Sequence, residues 1–133
     1  MLRSTIRRAG VLVLGVVMMA LGSAAAQAEP DAIQIRETSA GNVLANAAGM
    51  TLYIYTRDVP NVSNCYGGCA TNWPPAFPTA GVEPEGQYTL VGRTDGTVVW
   101  AYKGMPLYLW VQDTAPGDVT GEGRGGVWFV ARP

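Results

Sequence analysis

The 133-residue chain contains no histidine and a single lysine, Lys103. Without an imidazole, neither a Ser-His-Asp nor a Cys-His catalytic set can be assembled, and the C-x-x-C-H attachment of a c-type haem is excluded. Two cysteines cannot complete a four-thiolate zinc site, and zinc sites built on histidine are excluded with it. Beyond residue 28 no basic cluster is present to neutralise phosphates, which argues against nucleic acid as a partner and offers anionic lipid no attraction. Helical patterning is scarce as well. Beyond the first residues, no segment sustains a 3.6-residue apolar period for more than a turn or two.

What is present begins with an export signal. Arg3, Arg7 and Arg8 precede an apolar run from Ala9 to Leu21, then small residues ending Ala26-Gln27-Ala28. This is the order of a secretory signal peptide over residues 1–28, with cleavage expected after Ala28. The run is shorter than the roughly 20 apolar residues of a spanning helix, so no stable membrane insertion is expected after cleavage. No cysteine stands at the cleavage point for lipid attachment, and Arg7-Arg8 lack the fuller twin-arginine consensus. General secretion, to the periplasm or beyond, is the expectation. The remainder, residues 29–133, keeps six basic residues against ten acidic ones, a formal charge of −4. Its length is that of one domain.

That domain reads as one unit used twice. At an offset of 55 without a gap, the run from Gly49 to Asp58 falls on Gly104 to Asp113, sharing glycine, methionine, leucine, tyrosine and aspartate in register. Gly41 falls on Gly96, Val43 on Val98 and Trp73 on Trp128. Repetition at this period marks a duplicated supersecondary unit, here spanning about residues 33–78 and 88–133. Alternating residues between turn signals predict strands at 33–36, 43–45 and 52–56, then 88–91, 98–102 and 107–111, with 127–131 closing the chain. The run Pro74-Pro75-Ala76-Phe77-Pro78 is expected to lie outside any central strand, because proline cannot donate to a ladder. The fold class is therefore all-β: two tandem antiparallel meanders related by a pseudo-twofold, as a sandwich or an open barrel.

Alternation places Tyr53 with Tyr55, and Tyr108 with Trp110, on one face of their strands. Two roles are open to them. They can form a core aromatic layer, with Asp58 and Asp113 capping the turns that follow through backbone N–H groups. Alternatively, with Trp73 and Trp128, they form a binding face between the copies, rimmed by the two carboxyls. Asp58 and Asp113 could also act as acid and base, although so symmetric a pair is unusual for an enzyme, and no catalytic residue is assigned.

Cys65 and Cys69 occur in the first copy alone, with Thr120 and Arg124 at the corresponding places. An exported chain meets oxidising conditions, so the two are expected to form a disulfide, helped by Gly67-Gly68 between them. Short-loop bridges can be redox-active, and two thiolates with Met50 and Met105 could hold Cu(I). Against that, no histidine or lysine stands nearby to activate a thiol. The acids of residues 113–122 do not follow the EF-hand spacing, and Gly121, Gly123, Gly125 and Gly126 lack the strand–helix setting of a dinucleotide loop. Asn61-Val62-Ser63 matches a glycosylation sequon but carries little weight behind a bacterial-type signal.

Tyr53 to Asp58, Tyr108 to Asp113, the stretch from Cys65 to Pro75, Trp100 to Gly104 and the terminal Gly-Gly-Val-Trp together resemble a family of exported bacterial proteins. Its members are described as secreted repeats of unknown function, or predicted lipoproteins with a Y-x-[FWY]-x-x-D motif. The resemblance spans nearly all of residues 29–133. It implies an envelope location and a repeat fold, but no reaction, catalytic residue, cofactor or metal. The function expected is a non-enzymatic envelope module that binds a protein or small-molecule ligand. Alternatives are thiol-disulfide or copper work at Cys65 and Cys69, and carbohydrate binding by the aromatics.

Overall fold

The computed structural model describes residues 32–133, so the export signal lies outside the described residues. Strand β1 (Gln34–Thr38) turns through Ser39-Ala40 into β2 (Gly41–Ala45), and β3 (Tyr53–Tyr55) follows. A five-residue helix, α1 (Gly68–Asn72), ends the first unit's loop. The second unit holds β4 (Tyr88–Gly92), β5 (Val98–Tyr102) and β6 (Met105–Pro106), and β7 (Trp128–Val130) closes the chain. All pairings are antiparallel, in the orders β1-β2, β3-β7 and β4-β5-β6. The structure is all-β, and no sheet among the described residues closes into a barrel.

Between β5 and β6 stand only Lys103 and Gly104, both left-handed with φ of 49° and 82°, the conformation of a two-residue hairpin turn. The first unit uses a longer turn here, held by Asn46, whose side-chain oxygen accepts from the backbone N–H groups of Ala48 and Met50. That extra residue matters. Gly41 and Gly96 match in φ at 88° and 84°, as do Gly49 and Gly104 at 83° and 82°, so both ends of the segment keep the offset of 55.

Between those glycines the two copies slip by one. Leu44 N–H donates to Ala131 C=O while Leu44 C=O accepts from Leu52. In the second unit Trp100 makes the same bonds, with Ala76 and Leu107. Val43 therefore corresponds to Val99, not Val98. Val43 and Val99 have no exposed surface, whereas Val98 is 40% exposed. The ungapped register fails in this strand because the longer β4–β5 turn offsets the shorter β5–β6 turn.

The two units exchange their last strands. β7, from the end of the second unit, pairs with β3 of the first, Tyr53 facing Val130 and Tyr55 facing Trp128. In return Pro75 is bridged to Tyr108. Leu109 N–H donates to Pro74 C=O and Ala76 N–H to Leu107 C=O, so neither proline is asked for the N–H it lacks. The proline run thus lies outside any central strand, as expected, and pairs by an isolated bridge at positions where the prolines need supply only a carbonyl. The second unit's third strand is shorter than the expected 107–111. Its ladder is Met105–Pro106, and Tyr108 continues by single bridges to Tyr53 and Pro75.

On the pseudo-twofold, Tyr53 and Tyr108 exchange backbone hydrogen bonds in both directions, at 2.8 and 2.9 Å. Neighbouring residues on these strands point to opposite sides. Val43, Tyr53, Tyr108 and Val130 enter an aromatic cluster with Trp73, Trp110 and Trp128. Leu44, Leu52, Leu107 and Ala131 enter a second cluster with Ala76 and Trp100. Both of these clusters draw on both units, and a small third cluster, Val91, Val99 and Ala101, lies within the second unit alone.

Candidate functional site

The repeated motif builds a crossed pair of clasps. The Tyr53 hydroxyl donates to Asp113 Oδ2 at 2.6 Å, and the Tyr108 hydroxyl donates to Asp58 Oδ2 at 2.7 Å. Each tyrosine thus bonds the aspartate of the other repeat. Both aspartates also hold the loop that follows them. Asp58 Oδ1 accepts from Asn64 N–H, and Asp113 Oδ1 accepts from the N–H and hydroxyl of Thr120. Thr120 therefore takes the place of Asn64 rather than that of Cys65, again a shift of one.

Behind the clasps the copies differ. Tyr108 gives its proton to Asp58, so the Ser63 hydroxyl, 2.6 Å away, donates to Tyr108 and itself accepts from Arg93 Nη1. A one-way chain of donors results, from Arg93 through Ser63 and Tyr108 to Asp58. On the other side Gly121 N–H donates to the Tyr53 hydroxyl at 3.2 Å. Burial raises the pKa of both tyrosines well above the usual phenol value, and the bonds to Asp113 and Asp58 push the same way. Burial also raises Asp58, outweighing its bonds to Tyr108 and Asn64 and the positive charge of Arg93.

Four rings stack across the pseudo-twofold in the order Tyr55, Trp128, Trp73, Trp110. Successive centroids are 4.3, 4.0 and 4.1 Å apart, the outer and central contacts nearly parallel at 4° and 3° and the last tilted by 27°. Tyr53 meets Trp73 edge-on and Tyr108 meets Trp128 edge-on, both at 5.2 Å. Trp73, Trp110, Trp128, Tyr53 and Tyr108 are all buried, with Tyr55 half-buried at one end and the Arg124 guanidinium over Trp110 at the other. The motif aromatics face one another. Gly121 fits against this column so closely that a Cβ there would lie 2.8 Å from both Trp73 and Tyr53.

Cys65 and Cys69 form a disulfide with Cα atoms 5.3 Å apart. Cys65 is fully buried. Its carbonyl accepts from Arg93 Nη2 at 2.8 Å, and the Arg93 guanidinium lies 4.2 Å over the Tyr66 ring. The Tyr66 hydroxyl accepts from Thr94 N–H. The bridged loop of the first unit is thereby docked on the β4–β5 turn of the second.

A solvent-open recess lies on the other cluster. A trough of about 810 Å³ runs past Ile33, Val82, Tyr88 and Trp100, with Glu83 and Glu85 at its edge. A smaller recess of about 250 Å³ shares Ile33 and Trp100 with it and adds Leu52, Ala76, Phe77 and Leu109. None of the site residues expected from sequence lines either recess. In the sequence Trp100 stands out as a strand residue and as part of a family-like stretch, not as a site residue. Its distinguishing signal is that it stands where the first unit has Leu44, and that signal needs the corrected register. No group of histidine, cysteine, aspartate and glutamate side chains capable of holding a metal is found among the described residues.

Fold and site together define a duplicated all-β domain whose two copies are clasped through one interior. The chain belongs to the family described as "Secreted repeat of unknown function", which matches it twice, over residues 34–77 and 89–132. No curated protein and no solved structure matches it significantly. It is thus an exported protein, and no helix among the described residues is long and apolar enough to cross a membrane.

Proposed function

We propose that the mature chain, residues 29–133, works in the periplasm as a non-enzymatic module that binds a small ligand in the trough beside Trp100. The observation that carries this reading is the trough itself. It is mostly apolar, open, and of the size that small-molecule sites have, roughly 300–1,000 Å³. Tyr88 and Trp100 present it from β4 and β5, and the segment joining the units supplies further lining. The acids and hydroxyls of the repeated motif are already engaged with one another, which favours a scaffolding role for them over acid–base work. A thiol-disulfide role has less support, since Cys65 is buried and its loop is pinned by Arg93.

The test is titration with a neutral apolar fluorophore, N-phenyl-1-naphthylamine, on wild type and Trp100→Leu, which installs the residue of the first repeat. Loss of the indole contact should weaken binding about tenfold, the equivalent of about 1.4 kcal/mol. Binding unaffected by the substitution, or no binding by either protein, would overturn the proposal.

A further inference from the structure

The charge at the edge of the trough says more about its occupant, and this step rests on the binding reading above. The ion pairs among the described residues are Arg93–Asp95 and Arg132–Glu122. Glu83 and Glu85 therefore stand at the trough with no basic partner there. The lysine, Lys103, lies 5.1 Å over the Tyr102 ring and does not line the trough. Next to the acids the wall is aromatic. Tyr88 and Trp100 meet edge-on with centroids 6.3 Å apart, and both line the trough. Acidic groups beside aromatic faces favour an organic cation, through charge attraction and through the negative face of the ring. Ile33 and Trp100 also line the smaller recess, with Leu52 and Leu109. An apolar surface bordering both recesses suits a chain-bearing small molecule. A folded partner would need roughly 800 Å² of its own surface covered.

We infer that the trough binds a free cationic amphiphile, with an ammonium head between Glu83, Glu85 and Tyr88 and an apolar chain running past Trp100 and Ile33. Among the described residues the pairing of acids with Tyr88 and Trp100 lies at the second unit. The first unit has Ile33 and Leu44 where the second has Tyr88 and Trp100, and Glu83 and Glu85 belong to the segment joining the units.

The test uses the mature chain and three probes with the same chain length, each below its micelle threshold: dodecyltrimethylammonium, dodecyl sulfate and dodecyl maltoside. Calorimetry gives affinity, and NMR shifts of the Trp100 indole and Ile33 methyl groups report the place. The ammonium probe is expected to bind about tenfold more tightly than the sulfate, from two exposed carboxylates and one ring contact. The double variant Glu83→Gln/Glu85→Gln, altered only at exposed positions, should bring the two within about threefold while leaving the maltoside unchanged. Equal binding of sulfate and ammonium at Trp100 would overturn the cation inference and leave the binding module standing. Silence at Trp100 and Ile33 with all three probes would overturn both. So would a sedimenting dimer that Val82→Asp dissociates, since a second copy would then cover the trough.

Discussion

Replacing Tyr53 by Phe removes one oxygen and leaves the ring contact with Trp73 in place, so it isolates the clasp. Two interactions disappear: the 2.6 Å bond donated to Asp113, and the acceptor used by Gly121 N–H. A buried bond to a carboxyl group contributes about 1.5–3 kcal/mol, and a buried donor left without a partner costs about 1–3 kcal/mol. Partial relaxation brings the expected loss to about 3 kcal/mol, or about 15 °C in Tm for a domain of this size. Tyr108→Phe should cost less, about 2 kcal/mol, because the donor it orphans is the rotatable Ser63 hydroxyl rather than a fixed backbone N–H, and Ser63 still accepts from Arg93. Tyr55→Phe is the control. It is half-buried and stacked on Trp128, and it should stay within about 0.5 kcal/mol of wild type. Urea unfolding followed by tryptophan fluorescence and far-UV circular dichroism gives all three values. A Tyr53→Phe protein as stable as Tyr55→Phe would refute the claim that the crossed tyrosine–aspartate bonds hold the repeats together.

Other outcomes follow from the same geometry. Gly121→Ala should destabilise by about 2–3 kcal/mol through overpacking against Trp73 and Tyr53, whereas Gly68→Ala, with open space around it, should be near neutral; the same unfolding assay compares them. Residues 29–80 and 81–133 expressed separately should each lack cooperative unfolding, because each unit's third strand pairs with the other's last; a sharp thermal transition in either fragment would contradict the exchange. Raised tyrosine pKa values mean that Tyr53 and Tyr108 contribute stability that is intact below about pH 10 and lost as pH rises further. Asp58, also raised, contributes in the same sense at acid pH: its part is present below about pH 3.9 and fades as pH climbs through its folded value, so Asp58→Asn should flatten that portion of a stability–pH curve. Cys65→Ser/Cys69→Ser should cost about 2 kcal/mol, the small value of a very short loop, with ligand binding at the trough unchanged by calorimetry.

Much of this fold could be read from the chain because its signals are local. Turn dipeptides, alternating strands and the recurring Gly-Met-x-Leu-Tyr each depend on residues a few places apart. Two features escaped for a physical reason. Val98 and Val99 are both valines, so residue identity cannot say which of them matches Val43; turn lengths decide that, and turn lengths depend on backbone conformation. The exchange of last strands is likewise invisible to a period of 55, since a strand paired within its own unit and one paired with the other carry the same alternation. The aspartates illustrate the boundary well. Their bonds to loop N–H groups were foreseeable from residue type, whereas their tyrosine partners lie 50 and 60 residues away and became evident only once the units were interlocked.

Duplication also separates what must stay alike from what is free to differ. Each tyrosine requires an aspartate from the other copy, and the Trp73–Trp128 stack straddles the pseudo-twofold, so a change in either copy strands a buried partner in its twin. Symmetry is therefore retained at these shared contacts. Away from them the copies differ, within the core as well as at its edge. Cys65 stands where the second copy has Gly121, Trp100 where the first has Leu44, and Tyr88 where the first has Ile33. The binding proposed for the trough would use one particular arrangement rather than two equivalent half-sites, and the trough lies where the halves have diverged. The repeated motif is then what builds the frame, and the odd residues beside it are where specificity can reside.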